Sequence, residues 1–230
     1  MGSVSVTNGY MSYDLCLFDL DGTLTDPKLG IAKSYQYAVE AYGIHEDLDS
    51  LTQFIGPPLR EVFREHYGFG AADIEMFVAK FREYFAETGL LENDVYPGIR
   101  EVLERLKDCG AIMAVATSKV AVYAVRILNH FHLDGFFSYV SGDEMDGSLT
   151  KNGKGEIIRI ALDVLDPERK LSAVIIGDRK HDIHGGSDAG IDSIGITWGY
   201  GSRAELEEAG ATWIAESTDE LFRLITGETV

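Results

Sequence analysis

The chain has 230 residues, 45% of them hydrophobic and 25% charged, which is typical of a globular protein with one core and room for a smaller insert. Its formal net charge of −18 argues against a nucleic acid polymer or an anionic membrane as a partner, because both are bound through basic surfaces. No apolar stretch approaches the roughly 20 residues of a membrane-spanning helix, and no signal-peptide layout opens the chain, so the sequence predicts a cytoplasmic protein.

The first segments of the chain are a leader, a strand and an acidic turn. The ten residues "MGSVSVTNGY" have the composition of a leader outside the fold, with a natural start at Met11 as one interpretation. The apolar run "YDLCLF" then predicts a buried strand. It ends in Asp19 and Asp21, followed by Gly22 and Thr23. A turn in which these side chains only serve the backbone is the alternative to a functional role.

The stretch between Asp26 and Pro97 has a different texture. Three segments of helical periodicity follow one another without a convincing strand: "GIAKSYQYAVEAYG", "LREVFREHYG" and "ADIEMFVAKFREYFAETG". The break "FIGPPL" divides them, because Pro57 and Pro58 cannot continue a helix. We therefore expect a small all-helical insert directly after the first strand. Its basic residues Lys28 and Arg60 are candidate substrate contacts, although solvated surface charge is the commoner role.

Beyond Pro97, short apolar runs alternate with helical segments. The runs are "AIMAVA", "AVIIG" and "SIGITW". A helix from about Gly98 to Lys107 precedes the first of them, and "VAVYAVRILNHF" follows it with helical spacing. This alternation predicts an α/β fold with a Rossmann-like parallel sheet and helices on both faces.

Polar side chains stand directly after these runs. Thr117, Ser118 and Lys119 follow one run, and Asp178 and Asp182 follow another. Open parallel sheets bind ligands at the carboxyl ends of their strands, so these groups should meet Asp19 and Asp21 at one edge.. Crowded carboxylates need a cation between them, and oxygen ligands suit Mg²⁺, which often also holds a substrate phosphate. The alternatives are a helix N-cap for the threonine and a helix-capping turn for "GDRKHD".

Several other patterns are weaker. The stretch "GYGSRA" matches the glycine spacing of a dinucleotide-binding turn, but such a turn normally opens the fold, so a tight turn before a helix is preferred. The stretch "GSLTKNGKG" is no nucleotide P-loop, because five residues rather than four separate Gly147 from Gly153 and Gly155 replaces the required hydroxyl residue. His181 and His184 have no cysteine or third histidine beside them and are expected to be structural or solvent-facing.

The motifs "DLDGTLTD", "VATSK" and "IIGDRKHD", in this order with a helical insert after the first, resemble those of the haloacid dehalogenase superfamily of phosphohydrolases. The resemblance covers the chain beyond the leader. It implies a core domain formed by residues 11–26 and 97–230 and a helical cap domain formed by residues 27–96. It also implies a magnesium-dependent phosphatase that acts on a small phosphomonoester through an aspartyl-phosphate intermediate.

By this resemblance Asp19 is the nucleophile and Asp21 the general acid and base. Asp19, the main-chain carbonyl of Asp21 and Asp178 would hold the metal, with Asp182 behind them. The resemblance assigns phosphate binding to Thr117 and to a lysine at a helix start. The remaining substrate-binding candidates are Gly22, Ser118 and Lys119. The two candidates for the phosphate-binding lysine are Lys154 and Lys151. Lys154 is favoured over Lys151 because "KGEIIRIAL" places it at the start of a helix.

The expected substrate rests on resemblance as well. The dehalogenases themselves lack the second aspartate, so Asp21 favours cleavage of a phosphoester. The stretches "FIGPPLR", "LTDPKLGI", "ENDVYPGI" and "WGYGS" resemble the branch of 5'-nucleotidases and phosphoglycolate phosphatases. We expect a 5'-nucleotidase acting on nucleoside monophosphates, as a monomer or homodimer. The alternatives are phosphoglycolate, a sugar phosphate, a phosphomutase reaction and, most remotely, a non-enzymatic interaction protein.

Overall fold

A computed structural model describes residues 11–55 and 59–228. The leader at residues 1–10 and the break at Pro57 and Pro58 lie outside the described residues. Within the described part, no helix is long and apolar enough to cross a membrane.

Parallel strands form the centre of the molecule. The strands are β1 (Leu15–Phe18), β2 (Thr25–Asp26), β3 (Asp94–Val95), β4 (Ile112–Val120), β5 (Tyr139–Asp143), β6 (Ala173–Gly177), β7 (Asp192–Ile196) and β8 (Trp213–Ala215). Six of them form one sheet in the order β5-β4-β1-β6-β7-β8, and each adjacent pair in it is parallel. Phe18, at the end of β1, stands level with Val115 of β4 and Ile176 of β6. The carboxyl ends of the three central strands therefore meet at one edge, as the sequence predicts.

Helices cover both faces of the sheet. The α-helices are α1 (Lys28–Glu40), α2 (Leu48–Leu51), α3 (Leu59–Glu65), α4 (Ala71–Tyr84), α5 (Ile99–Asp108), α6 (Ala121–His130), α7 (Gly155–Leu165), α8 (Lys180–Ala189), α9 (Arg203–Glu208) and α10 (Thr218–Thr226). Side chains of β1 alternate between two separate apolar clusters: Cys16 and Phe18 belong to one, Leu15 and Leu17 to the other. All four are fully buried, and each large one stabilises the fold by about 1.5–3 kcal/mol. The α/β fold with two covered faces is confirmed.

The helices α1 to α4 continue into a π-helical turn, Phe85–Gly89; we call residues 28–89 the helical segment. Its aromatic side chains pack together, with the ring of Tyr35 5.0 Å from that of Phe81 and 5.5 Å from that of Phe63. The chain enters the segment after β2 and leaves it before β3. These two strands pair antiparallel, with Thr25 opposite Val95. Entry and exit therefore lie side by side.

Three features differ from the sequence-based expectations. The strand β3 lies within the stretch expected to hold no strand; two residues are too few to show alternation. The strand β5 is half-exposed at its start and β8 has an exposed tryptophan, so neither shows the continuous apolar run of the central strands. The run "AIMAVA" also continues as β4 to Val120, with a shift of register against β5 between Thr117 and Val120.

Candidate active site

The ends of β1 and β6 bring three carboxylates together. Asp19 directly follows β1 and Asp178 directly follows β6, while Asp182 lies in the first turn of α8. Asp19 is fixed to the sheet because its amide donates to the carbonyl of Ile176 at 2.8 Å. Each of the three carboxylates offers an oxygen atom within 4.8 Å of the other two. The sequence predicts that the strand ends meet in one acidic crevice, and the three carboxylates lie together in this way.

A buried lysine joins two of these carboxylates. The Nζ atom of Lys154 lies 2.8 Å from Asp19 Oδ1 and 2.5 Å from Asp182 Oδ1, and only 3% of the residue is exposed. Burial alone would lower the pKa of Lys154, but the charges of Asp182 and Asp19 outweigh it and raise the pKa above its usual value. The lysine therefore carries its charge at neutral pH. Lys151, the other candidate, is exposed.

Asp182 supports this lysine and its own helix. Its second oxygen, Oδ2, accepts a hydrogen bond from the amide of Arg179 at 3.0 Å, at the start of α8. Both oxygens therefore have protein partners. This is the helix-capping interaction that the sequence offered as the alternative reading of "GDRKHD", and it occurs together with the contact to Lys154.

Asp21 stands two residues after Asp19 and has a cation of its own. Its Oδ2 atom pairs with Nζ of Lys119, whose side chain is 7% exposed. Its Oδ1 atom is buried with no hydrogen-bond partner among the described residues. Burial raises the pKa of Asp21, Lys119 opposes that shift, and the charge of Asp19 adds to it. A carboxyl group with a raised pKa is suited to giving up and taking back a proton.

A turn at Gly22 makes this placement possible. Gly22 has φ of 84°, which favours glycine, and its amide donates to the carbonyl of Thr25 at 2.8 Å. A Cβ atom at this position would lie 2.4 Å from Asp178 Oδ2. The glycine therefore lets the chain bend after Asp21 and lets the carboxylate of Asp178 approach the backbone.

Thr117 and Ser118 lie at the end of β4 and differ in exposure. Thr117 is 2% exposed, and its Oγ1 atom accepts a hydrogen bond from the amide of Lys119 at 3.2 Å. It is not the N-cap of α6; that position is held by Val120, which has no side-chain cap. Ser118 is exposed.

The loop after β7 packs against Asp178. The sequence analysis expected a tight turn here but did not predict its contact with Asp178. The amide of Tyr200 donates to Asp178 Oδ2 at 2.7 Å. A Cβ atom on Gly199 would lie 2.3 Å from the carbonyl oxygen of Gly22, and one on Gly201 would lie 1.9 Å from that of Asp178. The stretch "GYGSRA" is therefore a tight turn before α9 whose glycines allow close packing on an acidic side chain. Its glycine spacing beside a strand end was the available signal.

This packing leads to a prediction about Gly199. We expect Gly199→Ala to destabilise the protein by about 1–3 kcal/mol, because the added methyl group has no space between Gly22 and Asp178. Urea unfolding monitored by circular dichroism measures this difference. Gly135→Ala is the matched control, since a Cβ atom there meets nothing within 4 Å. Equal unfolding midpoints for the two variants would contradict the packing argument.

The chemistry of the donors fits a hard divalent cation. Asp178 Oδ1 is buried without a hydrogen-bond partner among the described residues, although its Oδ2 is bonded. Burial, and then the charges of Asp182 and Asp19, raise the pKa of Asp178. A carboxylate oxygen without a protein partner, in a cluster of carboxylates, suits Mg²⁺, which prefers oxygen ligands. The two histidines of "GDRKHDIH", His181 and His184, are exposed and stand outside the cluster.

The helical segment touches the core beside these residues. Arg179, directly after Asp178, donates to the carbonyl of Ile55 at 3.2 Å. Arg82 donates to the carbonyl of Met145 at 2.7 Å. Arg60 pairs instead with Glu75 of the same segment, with 2.7 Å between Nε and Oε1.

A cavity of about 500 Å³ lies between the helical segment and β2 and β3. It is lined by Asp26, Lys28, Leu29, Ala32, Leu48, Asp49, Thr52, Leu91, Glu92, Asn93 and Asp94. Four of these side chains are acidic and one is basic. Tyr200 connects the cavity to the carboxylates, because its amide binds Asp178 and its hydroxyl donates to Asp26 Oδ1.

Comparison with known proteins agrees with this geometry. Residues 16–196 match the family described as haloacid dehalogenase-like hydrolase. A 5'-nucleotidase of Pseudomonas aeruginosa is 46% identical over 200 residues, which cover 85% of this chain and 88% of that protein. Tyrosine-protein kinase PtkA of Mycobacterium tuberculosis is 37% identical over 213 residues, covering 91% of this chain and 72% of that protein.

Solved structures show the same similarity. The crystal structure of a predicted phosphatase from Clostridium acetobutylicum superposes with a TM-score of 0.86 at 42% identity. The match covers 94% of this chain and 99% of that one. The chain belongs to the haloacid dehalogenase-like hydrolases, as a phosphoric monoester hydrolase of that family.

Proposed function

We propose that the protein hydrolyses the phosphate ester of a nucleoside monophosphate through a phosphorylated Asp19, with Mg²⁺ bound. The observation that carries this proposal is the pair of aspartates at the end of β1, each with a different cation. Asp19 contacts Lys154, and Asp21 contacts Lys119. Two carboxylates in such different surroundings can take different roles in one reaction.

The first step forms a bond between a carboxylate oxygen of Asp19 and phosphorus, and breaks the bond from phosphorus to the ester oxygen. Asp21 gives its proton to that oxygen, so the alcohol leaves neutral. Lys154 stands beside the attacking carboxylate and balances charge on the phosphoryl group as it transfers. Thr117 and Ser118, at the end of β4, would bind the phosphoryl oxygens.

The second step releases the phosphate. Asp21 takes a proton from water while the water oxygen bonds to phosphorus, and the bond from phosphorus to Asp19 breaks. Inorganic phosphate leaves and both aspartates return to their starting states.

Asp19, the main-chain carbonyl of Asp21 and Asp178 would hold the metal ion. Bound Mg²⁺ would act as a Lewis acid that stabilises charge on the phosphoryl oxygens. Asp178 has a buried oxygen that no described residue contacts by a hydrogen bond, whereas both oxygens of Asp182 are already bonded. This difference supports Asp178 as a ligand and Asp182 as the residue that holds Lys154.

One observation supports a nucleoside monophosphate over phosphoglycolate. The Pseudomonas relative at 46% identity is a 5'-nucleotidase.

The test is a panel of phosphate esters with added Mg²⁺. We expect kcat/KM for nucleoside 5'-monophosphates to exceed that for phosphoglycolate and small sugar phosphates by about tenfold or more, or about 1.4 kcal/mol. A chelator should abolish turnover and excess Mg²⁺ should restore it. Because Mg²⁺ displaces protons from carboxylates of raised pKa, Asp178 among them, its apparent affinity should rise with pH across the acidic range.

Each part of the proposal has its own contrary result. A tenfold preference for phosphoglycolate would overturn the assigned substrate and leave the reaction class intact. Turnover that survives chelation would overturn the metal assignment. An additional arm with ATP and a tyrosine peptide, read by phosphopeptide formation, tests the activity for which the Mycobacterium relative is named.

A further inference from the structure

Lys119 is enclosed between an acidic side chain of the core and an aromatic ring of the helical segment. Its Nζ atom contacts Asp21 Oδ2 and lies 4.7 Å from the centre of the Phe85 ring. The side chain is 7% exposed. The ammonium group of Lys119 therefore faces these two side chains and is largely shielded from solvent.

The two carboxylate oxygens of Asp21 have different surroundings. Lys119 holds Oδ2, whereas Oδ1 is buried without a hydrogen-bond partner among the described residues. A buried carboxylate oxygen without a partner costs free energy unless it meets another group during function. The ion pair with Lys119 is therefore the one side-chain contact among the described residues that fixes the orientation of this carboxyl group.

The ring of Phe85 belongs to the π-helical turn Phe85–Gly89 and is 5% exposed. It packs against Phe81 of α4 at 5.6 Å and against Tyr123 of α6 at 5.6 Å, measured between ring centres. The face that covers Lys119 is thus supplied by the helical segment and braced by the core. Cation and aromatic face attract each other more strongly when both are shielded from water.

We propose that Lys119 is a positioning residue that orients the carboxyl group of Asp21 for proton exchange with the substrate, and that Phe85 completes this anchor. The proposal rests on the proposed phosphatase reaction. In the first step the O–H bond of the Asp21 carboxyl group breaks as the ester oxygen gains that proton and separates from phosphorus. In the second step the carboxylate of Asp21 takes a proton from the attacking water, whose oxygen bonds to phosphorus as the bond from phosphorus to Asp19 breaks.

A distinctive experimental consequence concerns the leaving group. An alkyl ester needs a proton on its leaving oxygen, whereas p-nitrophenolate leaves without one. We expect Lys119→Met to lower kcat for a nucleoside 5'-monophosphate by about 100-fold, and kcat for p-nitrophenyl phosphate by less than about tenfold. The KM values should stay within about threefold of wild type. Steady-state kinetics on both esters, with thermal unfolding as a check of folding, measure this pattern.

Three further variants make the result specific. Lys119→Arg should regain a large part of the lost rate, because it keeps the cation. Phe85→Leu should lower kcat for the alkyl ester by about 3- to 10-fold, in the same leaving-group direction. Asp21→Asn with Lys119→Met should be no slower than Asp21→Asn alone, because both act through one proton. Lys170→Met, at an exposed lysine that forms an ion pair with Glu168, is the control and should match wild type.

Two results would overturn the proposal. Equal losses of kcat on the two esters would mean a merely structural lysine. A raised KM on both esters, without a leaving-group difference, would mean that Lys119 binds the phosphate directly. Either result leaves the phosphatase reaction standing, since that reaction is measured with the wild-type enzyme on the same esters.

Discussion

Asp19→Asn should lower kcat by at least about 10⁴-fold, because an amide cannot form the phosphorylated intermediate. The change keeps the shape of the side chain at the end of β1. It also keeps an oxygen that can accept hydrogen bonds from Leu20 and Lys154, which lie 2.7 and 2.8 Å from Oδ1 in the native protein. The loss should therefore fall on chemistry and not on folding.

The measurement is twofold. Turnover of p-nitrophenyl phosphate gives the rate, and mass spectrometry of acid-quenched enzyme shows whether a phosphoryl group is attached. Asp14→Asn is the control; this aspartate precedes β1, at the opposite end of the strand, and its side chain accepts hydrogen bonds from the amide and hydroxyl of Ser172. Full activity of Asp19→Asn, or a phosphoryl group found on another residue, would contradict the assignment of the nucleophile.

Lys154→Met should affect both turnover and stability. Loss of a cation that balances the transferring phosphoryl group should lower kcat by about 10²- to 10³-fold. The variant also leaves Asp19 and Asp182 close together without their shared cation, which should cost about 3–5 kcal/mol of unfolding free energy. Urea unfolding and steady-state kinetics measure the two effects separately.

The stability loss in Lys154→Met should depend on pH. Burial raises the pKa of Asp182 and Lys154 opposes that shift, so removing the lysine raises the pKa further. A carboxyl group whose pKa is higher in the folded than in the unfolded protein binds protons on folding. Stability of the variant should therefore recover as the pH falls, and the loss should be smaller at about pH 5 than at about pH 8.

Lys151→Met is the matched control for this variant, because that lysine lies three residues away and is exposed. It should leave turnover and the unfolding free energy close to those of wild type. If Lys151→Met lost turnover and Lys154→Met kept it, the choice between the two lysines would be wrong.

The sequence was sufficient for the sheet and its acidic edge because both follow from local patterns. Buried parallel strands are continuous apolar runs, and their carboxyl ends share one edge wherever the sheet is formed. Asp19 and Asp178 could therefore be placed together without knowledge of the packing. The helix start at Gly155 likewise placed Lys154 ahead of Lys151.

The remaining features depend on contacts between distant parts of the chain. The turn at Gly199 is compact because Asp178 packs against it, 21 positions earlier in the sequence. Lys119 meets Asp21 and Phe85 only in the folded molecule. The strands β5 and β8 acquire their conformation from neighbours at the sheet edges, so their own residues carry a weak signal.

The central position of β1 has a consequence for biosynthesis. This strand, Leu15–Phe18, leaves the ribosome first among the strands of the sheet, yet it pairs with β4 and β6 on its two sides. The second partner is complete only at Gly177. Until then β1 is an apolar strand with one unpaired edge in the nascent chain, and such an edge can associate with other chains. The yield of correctly folded protein should therefore depend on how well β1 is kept from associating with other chains during synthesis.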